Sequence, residues 1–301
     1  MTPFETRLIE WRHTMTPFET RLIEDMKLFG YSQRTQDTYL SAIRKLCKHL
    51  QKPVEQITNE ELRGYLLWHK DKYAPNTTTI ALCGVKFCFE KILKKPMPVF
   101  DLARQPRGLK LPVVLTREEV HQVLSNIRVL RHRACLSLIY SCGLRISEAV
   151  GMQVSQVDSK RMLIHVKEGK ALRDRYVPLP LATLELLRRH WKTHRHPKWL
   201  FPAPGRSGTR EAEATRPLPL SSVQTVFKKS LKEVGIQKDA HVHTLRHSYA
   251  THLLEEGIDI RVISEYLGHR SLDSTLIYTH LTPLMRQGVA DTINSLMDGL
   301  Q

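Results

Sequence analysis

Over the first hundred residues the apolar positions recur at helical spacing. Phe18, Leu22, Ile23 and Met26 mark a first helix, which Gly30 breaks. Ser32 or Thr35 caps a second, carrying Tyr39, Ile43, Leu46, Cys47 and Leu50. Thr58-Asn59-Glu60-Glu61 has the form of a capping box ahead of Leu62, Tyr65, Leu66 and Trp68. After Ala74-Pro75-Asn76, residues 77–93 predict a fourth helix with Ile80, Leu82, Val85, Phe87, Phe89 and Ile92 on its apolar positions. Lys95-Pro96-Met97-Pro98 ends this helical module. Residues 104–112 are basic, punctuated by proline and weakly periodic, which predicts a linker.

A second domain starts near Val113. Thr116-Arg117-Glu118-Glu119 is another capping-box start, followed by helices through Ile127 and from His132 to Cys142. Residues 162–166 and 175–177 are β-rich, and 167–174 between them suits a hairpin turn. Residues 181–194 are again helical. Residues 202–219 mix Pro, Gly and charge and predict a surface loop, and from Leu220 onward the pattern is mostly helical. The pattern therefore predicts a mainly α fold. A four-helix module spans 15–103, a linker 104–112, and a mixed helical domain with a small antiparallel sheet 113–301. Residues 1–10 repeat as 15–24, MTPFETRLIE in both places, so 1–14 reads as a duplicated, poorly ordered start.

Composition narrows the class. In 301 residues, 46 Lys and Arg stand against 30 Asp and Glu, a net charge of +16 with ordinary hydrophobic content. Such an excess points to a polyanionic partner, nucleic acid first and an anionic membrane second. The polar faces of the first module contribute Arg34, Arg44, Lys45, Lys48, Lys70, Lys72, Lys86, Lys91, Lys94 and Lys95. No apolar run approaches the roughly 20 residues that span a bilayer, and the start lacks a signal-peptide core. Cysteines 47, 83, 88, 135 and 142 are odd in number without a C-x-x-C pair, as expected of buried thiols in a reducing compartment. A secreted disulfide scaffold, a membrane protein and a disordered chain are excluded.

Candidate chemistry is concentrated in the second domain. Arg145 follows Gly143 and opens a helix with Ser147 and Glu148 in its first turn, a place for an anion, or for a surface pair with Glu148. Lys170 falls at the tip of the predicted hairpin, either as a solvated turn lysine or as a proton donor. His243 and Arg246 are three apart in the first turn of a helix and share a face suited to a phosphate oxygen. The H-x-H spacing of His241 and His243 is a weak metal signal, and no ligand partner stands near in sequence. His247 points elsewhere on that helix and is expected to be structural. Gly268 ends a further helix, with His269 at the corner and Tyr278 beyond it. Taken alone, Tyr278 reads as a half-buried tyrosine with its hydroxyl at the surface. Taken together, these groups describe phosphoryl transfer with neither metal nor cofactor. Guanidinium forks stabilise charge on the non-bridging oxygens, a tyrosine attacks, and an acid protonates the leaving oxygen.

The order Arg145, Lys170, His243-x-x-Arg246, His269 and Tyr278 resembles the tyrosine recombinase (phage integrase) family. GLRISE, HTLRHSYATHLLEEGIDIRVISEYLGH and STLIYTH are similar to the motifs of Xer-type recombinases and integron integrases. The resemblance implies a two-domain, C-shaped DNA clamp whose N-terminal domain binds the core site. It implies Tyr278 as nucleophile, Arg145 and Arg246 on the scissile phosphate, His243 as general base, Lys170 as general acid, His269 as a further phosphate contact and Glu148 as a buttress. It also implies double-stranded DNA as partner, and a homotetramer on two duplexes formed from a monomer or weak oligomer. The setting implied is cytoplasmic and nucleoid-associated, on a mobile element. Ala171 stands where related sequences often carry a second glycine. Residues 202–219 lack a match to the helix-bearing insertion of integron integrases, so a simple Xer-like or transposon-borne integrase is expected, without an arm-binding domain before residue 15. The alternatives are a type IB topoisomerase-like nicking-closing enzyme and a non-catalytic architectural DNA-binding protein.

Overall fold

The computed structural model describes residues 15–102, 111–167, 174–205, 211–269 and 271–279. The duplicated start, most of the expected linker, Lys170 with the hairpin tip, and the C-terminal tail lie outside the described residues. The chain divides into two compact units, 1–109 and 110–301.

In the first unit, α1 (Pro17–Leu28), α2 (Gln33–Leu50), α3 (Asn59–Lys72) and α4 (Pro75–Phe87) surround an apolar centre of Leu22, Met26, Ile43, Leu46, Leu62, Tyr65 and Val85. Local chemistry sets where these helices start. Thr16 and Thr58 each accept from the backbone three residues on, while Glu19 and Glu61 reach back to the cap backbone, closing two capping boxes. Ser32 caps α2. The fourth helix starts two residues earlier than expected, because Pro75 fits its first turn, where no amide hydrogen is needed. It then widens into a π-turn over Cys88–Ile92. Where α2 and α4 cross, a Cβ on Gly84 would stand 3.1 Å from Tyr39, so glycine sets that close approach. A short helix α5 (Val99–Leu102) follows the proline pair that was expected to end the module.

The second unit holds α6 (Arg117–Asn126), α7 (Leu130–Ser141), α8 (Ile146–Val150), α9 (Leu181–His194), α10 (Leu220–Glu233), α11 (Val242–Glu255), α12 (Ile260–Leu267) and α13 (Asp273–Leu276). Its sheet has order β1-β2-β3, with β1 (Val157–Asp158), β2 (Leu163–Val166) and β3 (Arg175–Pro178) all antiparallel. Ile164 pairs with Val177, and both are buried, as are Val166 and Arg175 at the next inward register. The expected hairpin strands are present. The two-residue β1 is too short to leave an alternating pattern and was not anticipated. The expected 202–219 loop contains a bridge from Pro202 to Pro217 and a 3-10 turn at Glu211–Glu213. Leu136, Leu138 and Ile139 on α7, Val223 and Phe227 on α10 and Leu245 on α11 form the centre of the core. Cys47, Cys88, Cys135 and Cys142 are buried free thiols, whereas Cys83 is exposed. No helix among the described residues is long and apolar enough to cross a membrane.

Candidate active site

The site is organised around the C-terminus of α12. Its last carbonyls carry partial negative charge and lack intrahelical donors. Three arginines from three different elements supply them. Arg175 of β3 donates through Nε to the Tyr266 carbonyl at 2.8 Å. Arg246 of α11 donates to the Leu267 carbonyl at 2.5 Å and to the Gly143 carbonyl at 2.8 Å. Arg145 donates to the Gly268 carbonyl at 3.2 Å. Gly268 itself is left-handed, φ 62°, a conformation that glycine takes without a Cβ penalty.

Glu148 lies beneath this arrangement. It accepts from the Arg145 backbone at 2.7 Å and from its guanidinium at 2.7 Å, so Arg145 serves as the N-cap of α8 with Glu148 closing the turn. It also accepts from Arg175 at 2.8 and 3.3 Å and stands 4.0 Å from Arg246. Burial pushes the Glu148 carboxyl up, but the Arg175 hydrogen bonds and charge, with those of Arg145, outweigh it and hold it below the usual carboxylate range. Among the described residues, three guanidiniums thus meet at the Glu148 carboxylate. Arg246 is 1% exposed. Burial, then the neighbouring Arg145 charge, push it down to about 10, which leaves it charged at neutral pH. The surface pair between Arg145 and Glu148 does form, but the same guanidinium also grips α12.

The corner before α8 depends on one glycine. Gly143 has φ 60°, and a Cβ there would lie 2.5 Å from the Tyr249 ring. The turn that aims Arg145 therefore tolerates only glycine.

His241 is the N-cap of α11, its amide donating to Thr244 Oγ1 at 3.1 Å. His243, in the first turn, is exposed. The surrounding protein, then Arg246, His241 and Arg145, push its imidazole down. His269, directly after the gripped α12 terminus, is fixed by a 2.8 Å hydrogen bond between Nδ1 and Thr275 Oγ1. Burial, then Arg246 and Arg145, push it down to about 4.

Tyr278 departs from its single-residue expectation. It is 2% exposed and packs with Ala250, Leu254, Ile263 and Leu267. Its hydroxyl is hydrogen-bonded to Nδ1 of His247 at 2.9 Å. This corrects the reading of His247 as pointing elsewhere. One turn beyond His243 on the same helix, it comes ring edge to ring face with His243 at 4.6 Å and reaches the tyrosine. Burial pushes the Tyr278 phenol up and the Arg246 charge opposes this.

Arg145, His243, Arg246, His269 and Tyr278 thus come together around α11 and the end of α12. Lys170 lies outside the described residues. Sequence reasoning missed Arg175, Thr275 and His247. Arg175 gave one usable signal, a charged residue at an inward-facing position of a predicted strand, which demands a buried partner.

Known proteins place this geometry in a family. The Phage integrase family model matches residues 113–285, and the N-terminal SAM-like domain of phage integrases matches 18–99. An integrase/recombinase of Sinorhizobium fredii is 37% identical over 263 residues, 86% of this chain and 82% of that protein. Among solved structures, the XerH site-specific recombinase bound to palindromic difH substrate in a post-cleavage complex has a TM-score of 0.68 at 23% identity, covering 90% of this chain and 84% of that one. A lambda integrase tetramer bound to a Holliday junction has a TM-score of 0.68 at 18% identity, covering 90% and 82%. The chain belongs to the phage integrase family, the tyrosine recombinases, which carry out site-specific DNA recombination through a tyrosine intermediate.

Proposed function

We propose that this protein cleaves and rejoins duplex DNA at specific sites through Tyr278, for integration or excision of a mobile element. The observation that carries this assignment is the convergence of Arg145 and Arg246 on one helix end, beside a buried tyrosine already hydrogen-bonded to an imidazole. A phosphodiester over that surface has its non-bridging oxygens met by the guanidiniums, which bind more tightly as charge develops in the transition state. His269 adds a phosphate contact, and the family resemblance makes His243 the candidate general base. The Tyr278 oxygen attacks phosphorus, the bond to the 5′-oxygen breaks, and a 3′-phosphotyrosyl link forms. Lys170, in the segment between β2 and β3, is assigned the proton for the leaving oxygen. Attack by a 5′-hydroxyl of the partner strand reverses the chemistry and completes exchange.

We assign 15–103 to core-site binding, 104–112 to the linker and 113–301 to catalysis. A homotetramer on two duplexes is the proposed working form, supported by the tetrameric lambda integrase, and the nucleoid of a bacterial-type cytoplasm is the proposed setting. A plasmid carrying two copies of the target site tests the assignment. Deletion or inversion of the intervening segment is expected in the presence of EDTA, because protein cations stabilise the phosphate. Relaxation without rearrangement would instead identify a nicking-closing enzyme.

A further inference from the structure

Transfer of a phosphoryl group to Tyr278 requires the phenol to lose a proton, and the site is arranged to make that loss difficult without help. The phenol is buried, and an ordinary tyrosine titrates near pH 10. The family resemblance assigns the acceptor role to His243. His243, however, makes no hydrogen bond among the described residues, and its ring stands against His247. The phenol oxygen instead meets Nδ1 of His247 at 2.9 Å, with the rings 5.7 Å apart.

We propose that His247 is the catalytic residue that accepts the Tyr278 proton, with His243 acting through the phosphate. In the cleavage step the Tyr278 oxygen forms its bond to phosphorus while its proton passes to Nδ1 of His247, which becomes an imidazolium. The bond from phosphorus to the 5′-oxygen breaks, and that oxygen takes a proton from a separate acid. In rejoining, the attacking 5′-hydroxyl gives its proton back to the conjugate base of that separate acid, its oxygen bonds to phosphorus, and the imidazolium returns its proton to the departing tyrosyl oxygen, so the cycle closes without net proton uptake.

Three observations support the assignment. His247 sits on α11 one turn from His243 and directly after Arg246, so the helix that presents a phosphate-binding guanidinium also presents the base. The His247 ring is held between the edge-to-face His243 ring at 4.6 Å and the phenol oxygen at 2.9 Å, so its Nδ1 is presented to the tyrosine. The packing of Tyr278 against Ala250, Leu254 and Leu267 fixes the ring, so its hydroxyl is directed at His247 rather than left to rotate.

This inference rests on the assignment of Tyr278 as nucleophile, and the experiment separates the two. Wild type, H247A, H247Q and Y278F are compared in single-turnover cleavage of a nicked suicide duplex carrying the site recovered from wild-type covalent complexes. Gel shifts on the same duplex, with thermal melts, establish that each variant folds and binds. Loss of a general base slows cleavage by about 100-fold or more, and this is expected for both His247 variants. Glutamine offers an oxygen to hold the phenol but cannot take its proton, so near-wild-type cleavage by H247Q would reduce His247 to an orienting contact and overturn the proposal. Faster cleavage by H247A would make His247 a restraint on the tyrosine, again overturning it. A duplex with a 5′-bridging phosphorothiolate, whose thiolate leaves without a proton, is expected to leave the H247A deficit in place. Its rescue would put His247 on the leaving-group side. An adduct formed by Y278F would remove the nucleophile assignment itself, whereas an inactive Y278F beside fully active His247 variants would refute only the inference about the base.

Discussion

Tyr278 and Glu148 show how differently two buried polar side chains act in one site. Tyr278→Phe removes only the attacking oxygen and one hydrogen bond to His247. It should retain DNA binding in gel shifts and form no covalent complex on denaturing gels. Glu148→Ala removes the carboxylate that three guanidiniums share among the described residues. Leaving a buried cation without its partner costs about 3–5 kcal/mol, so a lower melting temperature and loss of adduct should appear together. Glu148→Gln, which keeps some hydrogen bonding, should fall between. The roles of Arg175 and His247 were illegible in the sequence for a physical reason. Arg175 is defined by contacts to Glu148 and Tyr266, 27 and 91 positions away, and His247 by a contact 31 positions away. Helical spacing in fact sets His247, four residues after His243, on the His243 face. What it does not show is that the bend after α12 brings Tyr278 onto that face.

Helix starts were the most legible elements, because a capping box is written within four consecutive residues. Thr58-Asn59-Glu60-Glu61 and Thr116-Arg117-Glu118-Glu119 each close as read, and residues 181–194 are helical throughout. Elements without such a local signature went unseen: the two residues of β1, the π-turn after Phe87, and α5 beyond two prolines. The α7–α8 corner makes its own prediction. Gly143→Ala combines a left-handed backbone with a contact into Tyr249, a cost of about 3 kcal/mol. The variant should melt earlier and bind DNA more weakly, because the corner aims Arg145. Histidines link this unit to pH. His190, His247 and His269 are each pushed down to about 4, burial being the first cause, from an ordinary 6.5. The unfolded chain therefore binds these protons more readily than the folded one. Their contribution is fully present above about pH 6.5 and is lost as pH falls toward 4. Melting temperature should drop across that interval, and a flat profile would contradict the burial of these rings.

The whole molecule carries a net charge of +16, with lysines and arginines exposed along the helices of the first unit. Neutralising roughly six phosphates would make affinity fall about a thousandfold between ~50 and ~200 mM salt. A titration of DNA binding against salt should show that steep log–log slope, and a shallow one would mean that the charge is not used for DNA. The direction of this effect was legible from composition alone. The bases read in the grooves were not, because phosphate contacts fix register without encoding sequence. The central claim, that one buried tyrosine becomes covalently joined to DNA, is open to direct measurement. Wild-type protein is trapped on a suicide duplex and digested, and the nucleotide-bearing peptide is sequenced by mass spectrometry. The expected peptide carries the nucleotide on Tyr278. A nucleotide on Tyr266 or any other side chain, or cleaved DNA with no covalent peptide, would contradict the account.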